Sequence, residues 1–233
     1  MTEQIPLFPL NTVLFPGAPL SLHIFEERYR MMIGRCLRDR IPFGVVLIRR
    51  GSEVSPDDPW VRRLREMAGD AFELPEGSTV PYEVGTSAQI ADSVRLDDGR
   101  FYLVALGSQR FRIEAIVEQL PYVVADVTWL AEEAVAPRRA ELLQLTDTYA
   151  RYWEAQTRAA GQVYEPEDLP DDANEASFWL AHRLQVDNTR KQRWLECDLS
   201  VRLREMASAL RAEMGLLPAA HPAAADGATW GWN

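Results

Sequence analysis

A chain of 233 residues with 25 Lys and Arg against 35 Asp and Glu carries a formal net charge of −10. Nucleic acids and anionic membrane surfaces are gripped by a basic face, so this balance argues against both as partners. With 47% hydrophobic and 26% charged residues, the composition is that of a globular protein, and its length buries a core without metal or disulfide staples.

The N-terminal segment reads as strands punctuated by proline. Ile5–Leu10, Val13–Phe15 and Leu20–Phe25 are apolar runs broken by Pro6, Pro9, Pro16, Gly17 and Pro19. Proline has no N–H for a sheet ladder, so edge strands, short strands or strand ends are expected. The pattern then turns helical over Glu26–Arg40. Glu26 and Glu27 open the helix, and Arg35, Arg38 and Arg40 close it, the order the helix dipole favours. Tyr29, Met32, Ile33, Cys36 and Leu37 supply its apolar stripe, and a strand over Phe43–Ile48 follows. Residues 50–80 are weakly patterned and predict a long loop with a short helix around Val61–Ala68.

Residues 82–130 give the clearest β pattern. Asp97-Asp98-Gly99 signals a hairpin turn. Phe111, Ile113, Ala115 and Val117 alternate with Arg110, Arg112 and Glu114, predicting a half-buried strand with one wet face. Gly107 predicts a bulge or tight bend, and Pro121 sets off a last strand over Tyr122–Leu130. Short antiparallel strands with bends predict a curled sheet or small barrel. Beyond Pro137 the period is helical: Arg138–Ala160, then, after an acidic loop over Gln162–Asp172, a helix capped by Asn174 and ending at Gln185. Its buried candidates are Phe178, Leu180, Ala181 and Leu184. A last long helix is predicted from Asn188 to Met214, with Leu195, Leu199, Leu203, Met206, Leu210 and Met214 at helical spacing. The predicted class is therefore α+β. A curled antiparallel β pseudo-barrel with one helix (1–130) leads into a C-terminal helical bundle (131–214). The Ala/Pro/Gly-rich remainder, 215–233, is expected to be disordered, and a docking peptide built on Trp230 and Trp232 is the alternative reading.

Lysine scarcity constrains the chemistry. Lys191 is the single lysine, and it follows Arg190 rather than a glycine, so no phosphate-binding loop of the G-x-x-x-x-G-K type exists in the chain. In Asn188–Gln192 it reads as an exposed first-turn residue, which keeps a high pKa and makes a poor base. Neither a metalloprotease H-E-x-x-H nor a G-x-S-x-G elbow occurs. Among the histidines, His23 sits in a strand pattern, His182 in a helix and His221 in the tail. Cys36 and Cys197 lie in helical patterns with no CxxC partner and read as half-buried thiols in a reducing compartment. Expectations are accordingly no catalytic, cofactor or metal residue and no cofactor. With neither a signal peptide nor a helical membrane span, a cytoplasmic location is expected.

One constellation carries a resemblance. Ile5-Pro6-Leu7-Phe8-Pro9-Leu10, Val13-Leu14-Phe15-Pro16-Gly17 and Leu20-Ser21-Leu22-His23-Ile24-Phe25-Glu26-Glu27-Arg28-Tyr29 come first. Phe43–Leu47, Val84–Ile90, Asp98–Arg100, Gly107–Ile113, Pro121-Tyr122, Ser177–Ala181 and Lys191–Glu196 follow in order. Together they resemble the N-terminal domain of Lon proteases across roughly residues 4–214. The resemblance implies a β pseudo-barrel followed by helices and a role in recognising substrate proteins. In full-length Lon, ATPase and peptidase domains follow this region; here the chain is expected to end before either. The same module occurs in cereblon-type ubiquitin-ligase adaptors, whose additional zinc-bearing domain is not expected here.

The functional expectation is a non-catalytic protein- or peptide-binding module, an adaptor or regulator in protein quality control. Its partners would be unfolded or damaged polypeptides or a protease. The alternative is a small-molecule-binding or sensory protein using the barrel–helix cleft. A surface for extended clients would combine an apolar groove with an edge strand. The proline-broken strands, Phe15 and the 50–80 loop are candidates for it. Against that, Phe15, Phe25 and Tyr29 also read as filler of the barrel–helix junction, so no binding residue is singled out.

Overall fold

The computed structural model describes residues 2–51, 79–132, 139–159 and 169–216. The predicted loop and short helix within 50–80, most of the acidic loop and the tail with His221, Trp230 and Trp232 therefore lie outside the described residues. The chain divides into two compact units: residues 1–135 with 169–199, and residues 136–168 with 200–233.

The first unit is built on strands β1 (Glu3–Leu10), β2 (Pro19–Ile24), β3 (Phe43–Arg50), β4 (Val80–Pro81), β5 (Val84–Arg95), β6 (Phe101–Glu118) and β7 (Val124–Trp129), with helix α1 (Glu27–Asp39) after β2. The sheet runs β1-β7-β6-β5-β3-β4, and a parallel pairing of β1 with β3 closes the ring. Closure leaves β2, on the flank of β6, and the two-residue β4 as the outermost strands among those described. Ile5, Leu7, Val46, Phe111, Ala125 and Val127 fill the interior.

The prolines of β1 are a departure from expectation, because that strand is internal. Residues 3–6 pair with β7 and residues 7–10 with β3, and the changeover falls at Leu7, whose N–H still donates to the Val123 carbonyl beside β7. Each half has one ladder neighbour, which is how the closed sheet accommodates Pro6 and Pro9. Val13–Phe15 forms no strand. It is buried irregular chain, tied in where the Thr86 hydroxyl donates to the Leu14 carbonyl at 2.6 Å. Gly107 lies at the expected bend. Its N–H donates to the Ala18 carbonyl, Gly17 (φ 75°) donates back to the Gly107 carbonyl, and a Cβ at Gly107 would stand 2.2 Å from the Phe15 oxygen. Only glycine fits so close a backbone approach.

Helices α3 (Ala173–Arg183) and α4 (Asn188–Glu196) belong to the same unit as the barrel. The cap of α3 is Asp172 rather than Asn174: its carboxylate accepts from the backbone N–H groups of Asn174 and Glu175 at 2.9 and 3.0 Å. Phe178, Leu180, Ala181 and Leu184 are buried as predicted, and Phe178 packs against Phe15 with ring centroids 6.0 Å apart. The long helix predicted from Asn188 is two helices, because Cys197 adopts an extended conformation (φ −81°, ψ 165°) before α5 (Leu199–Leu216) begins. A further departure concerns Arg110, predicted on a wet face. It is buried: its guanidinium holds both Glu132 carboxylate oxygens at 2.7 and 3.0 Å, donates to the Leu195 carbonyl at 2.6 Å and lies over the Phe178 ring. Buried Gln192 on α4 likewise donates to the Val84 carbonyl at 2.9 Å. These polar ties fix α4 against the β-sheet.

In the second unit, α2 (Arg139–Ala159) buries Leu145, Tyr149 and Tyr152, and α5 buries Leu203, Met206 and Leu210. Both sets recur at three- and four-residue intervals, the spacing of one helical face. No helix among the described residues is long and apolar enough to cross a membrane.

Candidate binding surface

The hairpin β5–β6 with β2 on its flank presents an outer face that the barrel core does not use. Along β6, Phe101, Leu103 and Ala105 point inward and are buried, so Tyr102, Val104 and Leu106 point outward. They are 51%, 39% and 46% exposed, and Val94 beside Tyr102 on β5 is 56% exposed. Surface strands of antiparallel sheets turn polar side chains outward, so four exposed apolar residues in adjoining positions mark an unfilled contact surface. On β2 the same face carries Pro19, Ser21 and His23, opposite Leu106, Val104 and Tyr102 respectively. His23 stacks on Tyr102, with centroids 4.4 Å apart and planes 12° from parallel. The groove over these strands has a volume of about 450 Å³ and takes in Ser21, His23, Asp92, Val94, Tyr102 and Val104.

A second cleft of about 360 Å³ begins at the near end of β2. Pro16, Pro19 and Pro170 line it with Trp179, His182 and Arg183, and the Arg183 guanidinium lies 3.5 Å from the centroid of the Trp179 ring. Pro19 belongs to this cleft and Ser21 to the first groove, so β2 runs from one into the other. Proline rings and a cation-backed indole offer flat apolar contact with little rotamer entropy to lose.

The residues weighed from sequence are dispersed. Phe15 and Tyr29 are buried core, whereas Phe25 is partly exposed beside His23, with centroids 5.9 Å apart. The Cys197 thiol reaches the Trp194 carbonyl, His23 stacks on Tyr102, and burial pushes the Cys36 thiol up to about 11. Lys191 is not the exposed lysine expected: it is half-buried, its ammonium donates to the His182 carbonyl at 3.2 Å, and burial lowers its pKa. The His182 imidazole is also pushed down, chiefly by burial and then by the charges of Lys191 and Arg183. No group of three or more His, Cys, Asp or Glu among the described residues is arranged to hold a metal ion. What the surface offers is apolar burial and hydrogen bonding.

Tyr102, Val104 and Leu106 were not singled out from sequence, although a signal was present. Phe101–Leu106 is an unbroken apolar run, and a strand with a wet face alternates. An unbroken run in a barrel wall places apolar side chains on the second face as well as the first.

The first unit is thus a small closed β-barrel carrying docked helices and an exposed apolar sheet face. The family is shown directly: the chain belongs to the ATP-dependent protease La (LON) substrate-binding domain family, whose model matches residues 4–211. Among curated relatives, Lon protease 2 of Myxococcus xanthus is 30% identical over 126 residues, 54% of this chain and 13% of that protein. Lon protease 2 of Herpetosiphon aurantiacus is 26% identical over 94% of this chain and 25% of its own length. The chain thus spans a quarter or less of these proteases. The fold is shared with the Lon N-terminal domain protein from Xanthomonas campestris, at a TM-score of 0.59 and 24% identity, over 93% of this chain and 99% of that one. The N-terminal domain of a Mycobacterium avium complex Lon protease gives a TM-score of 0.60 at 15% identity, over 90% and 98%.

Proposed function

We propose that the chain is a non-catalytic client-binding module that takes up unfolded or damaged polypeptide through the outer face of β2, β6 and β5, as an adaptor or regulator in protein quality control. The observation that carries this reading is the exposed stripe of Val94, Tyr102, Val104 and Leu106. Unfolded chains differ from folded ones in presenting apolar side chains and unpaired backbone, and a flat apolar face responds to the first of these. Membership of a substrate-binding domain family supports it.

The test is binding of reduced, carboxymethylated lactalbumin, a permanently unfolded chain, followed by fluorescence anisotropy. Tyr102→Glu combined with Val104→Glu places charge on outward-facing positions and leaves the core alone. It is expected to weaken binding at least about tenfold, equivalent to roughly 1.4 kcal/mol, while native lactalbumin does not bind. Equal affinity of the double variant and the parent chain would overturn the assignment to this face.

A further inference from the structure

We infer that the bound client segment is extended and joins the sheet as an additional strand alongside β2, held by the backbone of Ser21 and His23. This rests on the client-binding reading above and specifies how the client is held.

The register of β2 on β6 determines which backbone groups point outward. Gly107 donates to the Ala18 carbonyl, so the pair of Ala18 and Gly107 faces inward across the ladder. In an antiparallel ladder such pairs alternate, so the N–H and C=O groups of Leu20, Leu22 and Ile24 turn toward Ala105, Leu103 and Phe101. The far edge of β6 agrees. The hairpin bond from the Leu96 N–H to the Arg100 carbonyl gives Tyr102, rather than Phe101, to the β5 side. The groups left pointing away from the sheet are the carbonyl of Pro19 and both groups of Ser21 and of His23. Pro19, which has no N–H, sits where that N–H would have faced outward. Beyond the β6 pairing, no backbone hydrogen bond among the described residues involves Ser21 or His23.

Open edges are normally blunted by charge, proline, bulges or brevity. The other outermost strand, β4, has two residues and ends in Pro81. By contrast β2 has six residues, Pro19-Leu20-Ser21-Leu22-His23-Ile24, with no charged side chain to repel a neighbouring strand and a single proline at one end. Half-buried Leu20 and Leu22 lie on the inner side of this edge, where an added strand would cover them. A helix has already satisfied its own backbone and gains nothing from such an edge. An extended chain gains hydrogen bonds there whatever its sequence, and it places every second side chain in line with the rows of Tyr102 and Val104. The occupant is therefore an unfolded client segment of about five residues with apolar side chains at alternate positions.

The experiment compares the parent chain with Ser21→Pro, using reduced, carboxymethylated lactalbumin as the probe. This proline removes one outward N–H and breaks no bond to β6, and Leu20 before it is already extended. Binding is expected to weaken at least about tenfold, with the far-ultraviolet circular dichroism of the parent retained. In parallel, amide hydrogen exchange of the parent chain is followed by NMR, so the outcome does not depend on the variant folding. Saturating probe is expected to slow exchange at Ser21 and His23 at least about tenfold. Bound probe without that protection, or a folded Ser21→Pro variant with parental affinity, would overturn strand addition and leave the client-binding reading standing. A parent chain that does not bind the probe overturns both. Protection that grows with protein concentration alone and disappears in Ser21→Pro would assign the edge to a second copy of this chain instead.

Discussion

Replacing Arg110 tests whether α4 is held to the barrel by a polar tie or by apolar packing alone. The Arg110 side chain is 9% exposed and that of Glu132 34% exposed, and the guanidinium also donates to the Leu195 carbonyl. Arg110→Met keeps most of the volume and removes every donor. The Leu195 carbonyl then loses its partner, a cost of about 1–3 kcal/mol for a buried acceptor. Glu132 is exposed enough to be rehydrated, so its loss is smaller than the roughly 3–5 kcal/mol of a fully buried broken pair. The guanidinium over Phe178, at 5.4 Å, adds about 0.5–1 kcal/mol. The total is about 2–4 kcal/mol, or roughly 4–16 °C of melting temperature for a chain of this size. Glu132→Ala leaves a buried guanidinium with only the Leu195 carbonyl, so it too is destabilising, and the double variant should fall short of the sum by about 1–3 kcal/mol. Thermal unfolding by circular dichroism measures all three. A loss under about 2 °C for Arg110→Met, or strict additivity in the double variant, refutes the tie.

Three further outcomes follow from local geometry. Gly107→Ala drives a Cβ to 2.2 Å from the Phe15 oxygen, between two backbones that cannot both yield, and should cost about 1–3 kcal/mol in urea unfolding; parental stability would show that the strand moves freely there. The Cys36 thiol, pushed up to about 11 by burial, should stay protonated and unreactive at pH 8, so iodoacetamide adds once, at Cys197, under native conditions and twice in urea; equal adduct rates at both thiols, read by intact mass, would contradict this. Because its pKa is lowered in the folded state, His182 binds a proton more readily when unfolded. Stability from this group is complete above the usual histidine pKa and falls as pH drops through it, and His182→Gln should flatten the melting-temperature profile between pH 7.5 and 5.5.

Which parts of this molecule were readable from sequence follows the range of the forces involved. The strands, α1 and the bend at Gly107 announce themselves through local periodicity, turn chemistry and steric need. Asn174 looked like a cap because its type suits one, but Asp172 two residues earlier brings a carboxylate within reach of two backbone N–H groups. The break at Cys197 was hidden because the leucine stripe keeps its phase across it. Arg110 and Lys191 were misplaced for one shared reason. A charged side chain is read as wet until a distant acceptor is known, and the acceptors are carbonyls at Leu195 and His182. Tyr102 and Val104 are not legible in the sequence as surface, because an apolar run in a barrel wall looks like core until the strand's second face is seen to be exposed.

The two properties of β2 explain each other. A face made apolar for contact needs protection from indiscriminate pairing, which charge on the neighbouring edge would ordinarily supply. Charge there would also repel an incoming backbone. Pro19 resolves the conflict by position: it ends the open edge at the Trp179 cleft, where no N–H is available, and leaves Ser21 and His23 as the β2 residues with both groups outward. The usable edge is thereby limited to a few hydrogen bonds, too short to seed an extended intermolecular sheet yet sufficient to register a segment over Tyr102 and Val104. A short open edge beside an apolar face suits transient capture of many sequences: the backbone contacts are indifferent to side chains, and the apolar rows ask only for alternation.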